Sequence, residues 1–276
     1  MSYPPADPKS RQTAQPAGVA VAALTLPVLA STTVTPALLL LASLSLGSAV
    51  LVAVFARDPR RSSSTLEQDS ASPYRTPVLW RIHAASALLI VPQFTVSTFS
   101  LVFLVGAHHF DPATAGRVLA CAQIAGACTR LLAGWWSDRV ASRLRLMRTV
   151  ALTVGVVTVL LSLTSHSPAA VVVLVIAAAV TVAPNGLAFT AVAEHAGRSW
   201  SGRALGIQNT AQNAVAFATP PVLGALIGTA GHGPAFLAVL PLPLLAAVAI
   251  PVRAERSDTD SAAVTPSAGS TTAAGH

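Results

Sequence analysis

The stretch AGVAVAALTLPVLASTTVTPALLLLASLSLGSAVLVAVFA, residues 17–56, contains forty consecutive positions without a charged side chain. A helix needs about 20 apolar residues to cross the hydrocarbon core, because lipid offers no partner for backbone N–H and C=O groups. Forty residues are enough for two such helices, and Pro36 after the polar run 31–35 predicts a turn between them. We therefore place two transmembrane spans at 17–34 and 36–56.

Further uncharged, Ala/Leu/Val-rich stretches follow and predict six more spans, at about 78–106, 113–136, 147–164, 168–192, 204–228 and 233–252. The composition agrees, since 53% of the residues are hydrophobic and 10% are charged, against about 25% charged in soluble domains. The predicted fold class is all-α, a polytopic protein of about eight transmembrane helices with the lipid bilayer as its surroundings. The basic residues lie between the apolar runs, which excludes a nucleic-acid partner.

A charged, Ser-rich segment divides the apolar runs into two unequal groups. Residues 57–75 read RDPRRSSSTLEQDSASPYR and cannot bury a core, so we predict a cytoplasmic linker over 57–77. The predicted organisation is a cytoplasmic N-terminal segment (1–16), two helices (17–56), the linker, six helices (78–252) and a disordered cytoplasmic tail (253–276).

Basic residues occur in alternate loops, which predicts the orientation of the spans, because cytoplasmic loops are enriched in Lys and Arg. The loops predicted to be translocated, at 31–36, 107–112, 165–168 and 229–234, contain neither residue. The basic ones are Lys9, Arg11, Arg57, Arg60, Arg61, Arg75, Arg139, Arg143, Arg145, Arg148, Arg198, Arg203, Arg253 and Arg256. The protein is therefore predicted to lie in the plasma membrane, with both termini and the linker on the cytoplasmic side.

One predicted cytoplasmic turn carries a specific motif, Gly134-Trp-Trp-Ser-Asp138-Arg139-Val-Ala-Ser-Arg143. It resembles the loop signature of the major facilitator superfamily, in which a glycine and three residues precede Asp-Arg, a further glycine and basic residues. Ala141 and Ser142 depart from that pattern. The segment from Glu194 to Gly206 is similar to a later cytoplasmic turn of the same family. A charged linker before six spans also matches the family's second half.

The resemblance implies a secondary transporter that carries a small solute by alternating access between two six-helix halves. Only two spans precede the linker here, so four N-terminal helices of the family pattern have no counterpart. Either the chain is a truncated product or has a misplaced start, or a partner chain supplies the missing half. The alternative function is a non-transporting membrane remnant or assembly module. The sequence predicts no enzyme, no cofactor and no metal site.

Several polar residues at membrane depth are candidates for contact with substrate, because burying them in lipid is costly. Gln93 follows Pro92 and Asn185 follows Pro184, and a proline in a span often marks a broken helix at a transport site. A hydrogen bond between neighbouring helices is the competing interpretation for both. A polar stripe at i, i+4 spacing in the seventh span adds Gln208 and the candidates Asn209, Gln212 and Asn213, for which packing against neighbouring helices is the alternative to contact with substrate.

Arg130 lies one turn before Gly134 and two before Asp138, so the three share a helix face. It either binds an anionic substrate or pairs with Asp138 as a structural lock, and we favour the lock. The motif glycine is expected to let neighbouring helices approach, and the basic residues to hold the turn at the membrane surface. Cys121 and Cys128 fit no metal or redox motif and are expected to be small buried residues.

Overall fold

The computed structural model describes residues 33–55, 71–140 and 142–254, apart from the side chain of residue 198, and scattered positions between 18 and 30. Within these ranges the chain is helical without strands, and seven helices are long and apolar enough to cross a membrane. This confirms the all-α polytopic class. The predicted span 17–34 is described only in part, with helical positions between residues 18 and 29, whereas most of the linker and of the tail lie outside the described residues.

The seven helices are numbered in chain order. They are α1 (Thr35–Phe55), α2 (Pro77–Ala107), α3 (Pro112–Val140), α4 (Arg143–Leu163), α5 (Ala169–Gly197), α6 (Ser199–Ala230) and α7 (His232–Ala254). A short 3₁₀ turn, Pro73–Arg75, precedes α2. The helix ends extend beyond several predicted ones. The predicted spans 113–136 and 147–164, for example, left a break that included most of the Arg-rich stretch 139–148. In the structure only residues 141–142 separate α3 from α4.

Three helices depart from regular α geometry. The last residues of α2, Phe103–Ala107, form a π-helical turn. Helix α5 is interrupted at Val182, between Thr181 and Ala183, just before Pro184. Helix α7 is interrupted at Leu240, before Pro241, because proline lacks the N–H of the helical ladder. The proline before Gln93, in contrast, lies inside an uninterrupted helix.

Two glycines with positive φ make the sharp connections that let α5, α6 and α7 run side by side. Gly197 joins α5 to α6 with φ 72°, and Gly231 joins α6 to α7 with φ 82°. Only glycine adopts such angles at little cost, because it has no Cβ. The predicted spans 168–192 and 204–228 left a longer break at 193–203, which the structure replaces by this direct connection between α5 and α6.

Helix α2 lies at the centre of the six-helix bundle and packs against α5, α6 and α7. Helix α3 packs on the first part of α5, and α4 packs on α7. One apolar cluster fills the end of the bundle near Leu79, Leu144 and Met147. A second cluster fills the opposite end around Phe103 and Phe236. Polar side chains from α2, α5 and α6 lie between these two regions and form the candidate site described below.

Two surfaces of the molecule are less covered than the rest. Helix α1 does not pack closely on the other described helices, and Ala37 is its only buried described residue. Cys121 and Cys128 on α3 are exposed, so the prediction that both are buried was wrong. The reason is that no described helix covers the face of α3 that carries them.

Candidate functional site

Seven side chains form a continuous hydrogen-bonded chain inside the six-helix bundle, and we call it the polar chain. It connects the start of α2 to the middle of α2 by way of α5 and α6. Its members in order of contact are Tyr74, His83, Gln208, Ser86, Gln212, Asn185 and Gln93. Helical spacing explains the arrangement, because residues 83, 86 and 93 share one face of α2 and residues 208 and 212 are one turn apart on α6.

The first part of the polar chain gives hydrogen-bond partners to both ring nitrogens of His83, which is only 4% exposed. Its Nδ1 lies 2.5 Å from Gln208 Oε1, an atom that can only accept, so Nδ1 carries the proton and donates. The other ring nitrogen, Nε2, forms a hydrogen bond of 2.9 Å with the Tyr74 hydroxyl. Burial raises the pKa of Tyr74. Both ring nitrogens of His83 are therefore hydrogen-bonded.

Ser86 is the branch point of the polar chain. Its hydroxyl oxygen accepts a hydrogen bond from Gln208 Nε2 and another from Gln212 Nε2, each at 2.5 Å. Ser86, Gln208 and Gln212 are all buried, so these bonds replace contacts with water. An unpaired amide at this depth would cost about 1–3 kcal/mol, which makes the set dependent on every member.

The far end of the polar chain brings together three of the predicted substrate-cavity candidates. Asn185 Nδ2 donates to Gln93 Oε1 at 2.8 Å, and Gln212 Nε2 donates to Asn185 Oδ1 at 3.3 Å. Gln93 also borders a cavity of about 50 Å³ between α2, α3 and α5, with Ser97 and Gln123 in its wall. A space of this size and polarity suits one or two small polar molecules.

The other two predicted cavity residues lie apart from the polar chain. Asn209 and Asn213 are exposed on α6, and Asn213 Nδ2 donates to the backbone oxygen of Asn209 at 2.8 Å. The stripe predicted at 208–213 is thus divided between two faces. Its glutamines point into the bundle, and its asparagines face outward.

A second polar group lies where α3, α4 and α5 meet, and we call it the charged cluster. Arg143 Nε lies 2.7 Å from both carboxylate oxygens of Glu194 on α5. Its Nη1 lies 3.3 Å from Asp138 Oδ1 and donates to Ser137 Oγ at 3.4 Å, both near the end of α3. One guanidinium therefore ties three helix ends together, which matches the planar donor geometry of arginine.

The remaining motif residues occupy distinct positions. Arg130 Nε donates to the backbone oxygen of Val182 at 3.2 Å, where α5 is interrupted. Arg139 stacks on the ring of Trp135, with 4.2 Å from its guanidinium carbon to the ring centroid. The close approach expected at Gly134 is absent among the described residues, because a Cβ placed there would have no neighbouring atom within 4 Å.

Sequence reasoning missed part of both groups. His83, Ser86 and Tyr74 were not proposed, although a histidine and a serine three residues apart in an apolar span are a detectable signal. Glu194 was considered only as part of a turn, and its contact with Arg143 was not foreseen. In the part of the chain that the structure describes, no set of three or more His, Cys, Asp or Glu side chains could hold a metal ion.

The bundle of apolar helices, with a polar chain inside and a charged cluster at one end, defines a polytopic α-helical membrane protein. Residues 10–220 match the family model of the Major Facilitator Superfamily, so the chain belongs to that family. The matched range includes the predicted motif turn, the whole polar chain and most of α6.

Two curated relatives come from strains of Mycobacterium tuberculosis, and both are described as uncharacterized MFS-type transporters. One is 43% identical over 248 residues, which cover 88% of this chain and 56% of the relative. The other is 42% identical over the same lengths. The chain thus spans little more than half the length of the relatives that it matches.

Proposed function

We propose that this chain belongs to a secondary carrier that moves a small solute across the plasma membrane by alternating access. Family membership and the transporter relatives support transport in general. In this proposal α2 to α7 form the C-terminal half of the carrier, α1 belongs to the end of the N-terminal half, and the termini are cytoplasmic. The positive-inside pattern of the loops supports that orientation.

The observation that carries the proposal is the character of α3 and α6. Among the six helices after residue 71 they are the least apolar and also the least buried. Asn209 and Asn213 stand exposed on α6, and an amide facing hydrocarbon lacks partners for its hydrogen bonds. A surface of this kind suits a water-filled path or contact with another part of a carrier. The open space beside Gly134 shows that α3 also has an uncovered surface, as this proposal requires.

The amide group at the end of the polar chain is the proposed substrate contact. Gln93, Asn185 and Gln212 offer both donors and acceptors without a formal charge. Such groups suit solutes that exchange neutral hydrogen bonds, among them sugars, and small anions as well. The interruption of α5 at Val182 places an irregular backbone next to Asn185, as in the broken helices of many transport sites.

The charged cluster is the proposed gate element. Arg143, Asp138 and Glu194 join the ends of α3, α4 and α5, which is where rocking of one half against the other would separate helix ends. Because these side chains are partly exposed, their contacts are weak enough to break in each cycle. Arg130 is proposed to support the same end of the bundle, including the lock with Asp138.

A non-transporting membrane remnant or assembly module is the second candidate, since the exposed polar face of α6 also suits contact with another membrane protein. Uptake by the purified chain in liposomes distinguishes the two. A radiolabelled sugar, a cationic drug and a small inorganic anion would be supplied under an inward proton gradient and without one. We expect uptake of one solute above empty liposomes, reduced by Asn185→Ala and unchanged by Ser48→Ala on α1. Rates equal to empty liposomes for every solute would refute transport by this chain.

A further inference from the structure

A groove on the outside of the bundle lies away from the polar chain. It has a volume of about 710 Å³ and runs between α3 and α4, with α5 at its floor. Its walls are largely apolar and include Leu132, Trp136, Val140, Leu146, Val150 and Val180. Sites that bind drug-sized or lipid-sized ligands have volumes of this size.

One end of the groove is basic and aromatic. Arg145 lines it together with Trp135 and Trp136, and all three side chains are exposed. Arg139 is held at the same end because its guanidinium stacks on Trp135. Tryptophans of this kind sit at the level of the lipid headgroups, which places the basic end at the membrane interface.

The ion pairs that the structure describes at this end of the bundle involve Arg143 and not Arg145. Asp138 lies 3.3 Å from Arg143, which faces the charged cluster rather than the groove. Among the described residues no acidic side chain forms an ion pair with Arg145. The mouth of an apolar groove thus carries two positive charges that an anion can approach from the membrane surface.

We propose that this groove binds an anionic phospholipid, with one acyl chain along its apolar walls and the phosphate at Arg145 and Arg139. The charge and the shape both favour this occupant. Arginines pair with phosphate oxygens, basic pockets between transmembrane helices recognise anionic headgroups, and the walls exclude a purely polar ligand. The site shares no residue with the polar chain.

The test is lipid binding to the purified full chain in neutral detergent, followed by native mass spectrometry. The probes are dioleoyl phosphatidylglycerol and dioleoyl phosphatidylcholine, which differ only in the headgroup. We expect preferential retention of phosphatidylglycerol. Arg145→Gln should weaken that binding about fivefold, the value for loss of one arginine near an anionic lipid surface, and leave phosphatidylcholine unchanged. Arg75→Gln is the matched control, because it removes an exposed arginine outside the groove and should have no effect.

A second variant tests the acyl-chain part of the site. Thr149→Trp places a large ring in the groove from an exposed position, so it should reduce retention of both lipids without loss of the folded monomer. Equal retention of the two lipids by the wild type would overturn the proposal. Displacement of the lipid by inorganic phosphate alone would overturn it in favour of a free-anion site. A dimer that excludes lipid would show that a second copy occupies the groove.

Discussion

Arg143 Nε lies 2.7 Å from both carboxylate oxygens of Glu194, so that one side chain of α4 joins α5 by a two-oxygen contact. The same guanidinium reaches Asp138 on α3 at 3.3 Å. The contacts of Arg143 therefore give the motif turn a physical role, because they join the ends of α3, α4 and α5.

Neutralising the two partners of this contact should reveal a small but measurable coupling. The Glu194 side chain is 51% exposed and that of Arg143 is 25% exposed, so solvent screens much of the attraction. We expect a double-mutant cycle of Arg143→Gln and Glu194→Gln to give about 0.5–1 kcal/mol from thermal unfolding in detergent. Arg145→Gln combined with Glu194→Gln is the control and should be additive. Additivity in the first cycle would contradict the contact.

Breaking the polar chain should destabilise the bundle more than any exposed change on the same helix. Gln208→Leu leaves His83 Nδ1 without an acceptor and removes one donor from Ser86. The expected cost is about 1–3 kcal/mol in the free energy of unfolding, measured by thermal or denaturant unfolding. Asn213→Leu, on the exposed face of α6, should shift stability by less than about 0.5 kcal/mol. Equal effects would show that the glutamine is not a structural partner.

Hydropathy predicted the helices well because the bilayer demands long apolar segments whatever their neighbours are. Hydropathy did not predict the helix ends that project beyond the hydrocarbon core into water. The stretch 139–148 illustrates this, since charged residues within a helix that projects beyond the hydrocarbon look like a loop in a hydropathy pattern. Helix continuity to Val140 and from Arg143 depends on the backbone and on the cap at Ser142, whose hydroxyl accepts from the N–H of Arg145.

The candidate site was predicted in part. Gln93 and Asn185 could be found because each is a polar residue that follows a proline in an apolar span. Their contact with each other could not be predicted, because one sequence does not fix which helices are neighbours. His83 was missed for the same reason, since its role depends on Gln208, which is 125 residues away along the chain.

Gly126 lies where α3 closely approaches α5, and a larger residue there should separate the two helices. A Cβ at this position would lie 3.1 Å from Val182 Cγ2, tighter than ordinary packing. We expect Gly126→Val to cost about 1–3 kcal/mol of stability, because the branched side chain extends beyond the Cβ towards the backbone of Ala178 and Ala179 on α5. Gly228→Val on α6 meets no neighbour within 4 Å and serves as the control. A melting temperature equally lowered in both variants would trace the loss to β-branching instead of contact.

Protonation of the Asp111 carboxylate at acidic pH should destabilise the first turn of α3. Asp111 precedes Pro112 and accepts from the N–H of Thr114 at 2.9 Å, and its contacts with Thr114 lower the pKa of Asp111 below the usual 3.8. A lowered pKa means that the folded protein favours the charged form. The stabilisation is therefore complete above the usual pKa and is lost as the pH falls below it.

Hydrogen exchange at the amide of Thr114 is the direct measure of this effect. In the wild type we expect protection, after correction for the intrinsic exchange rate, to decrease as the pH falls below about 4, because protonation weakens the acceptor. Asp111→Asn keeps a capping oxygen and removes the titration, so its protection should vary little over the same range. Parallel profiles for the two proteins would show that the charge of Asp111 contributes nothing to the helix start, and that the cap acts through its geometry alone.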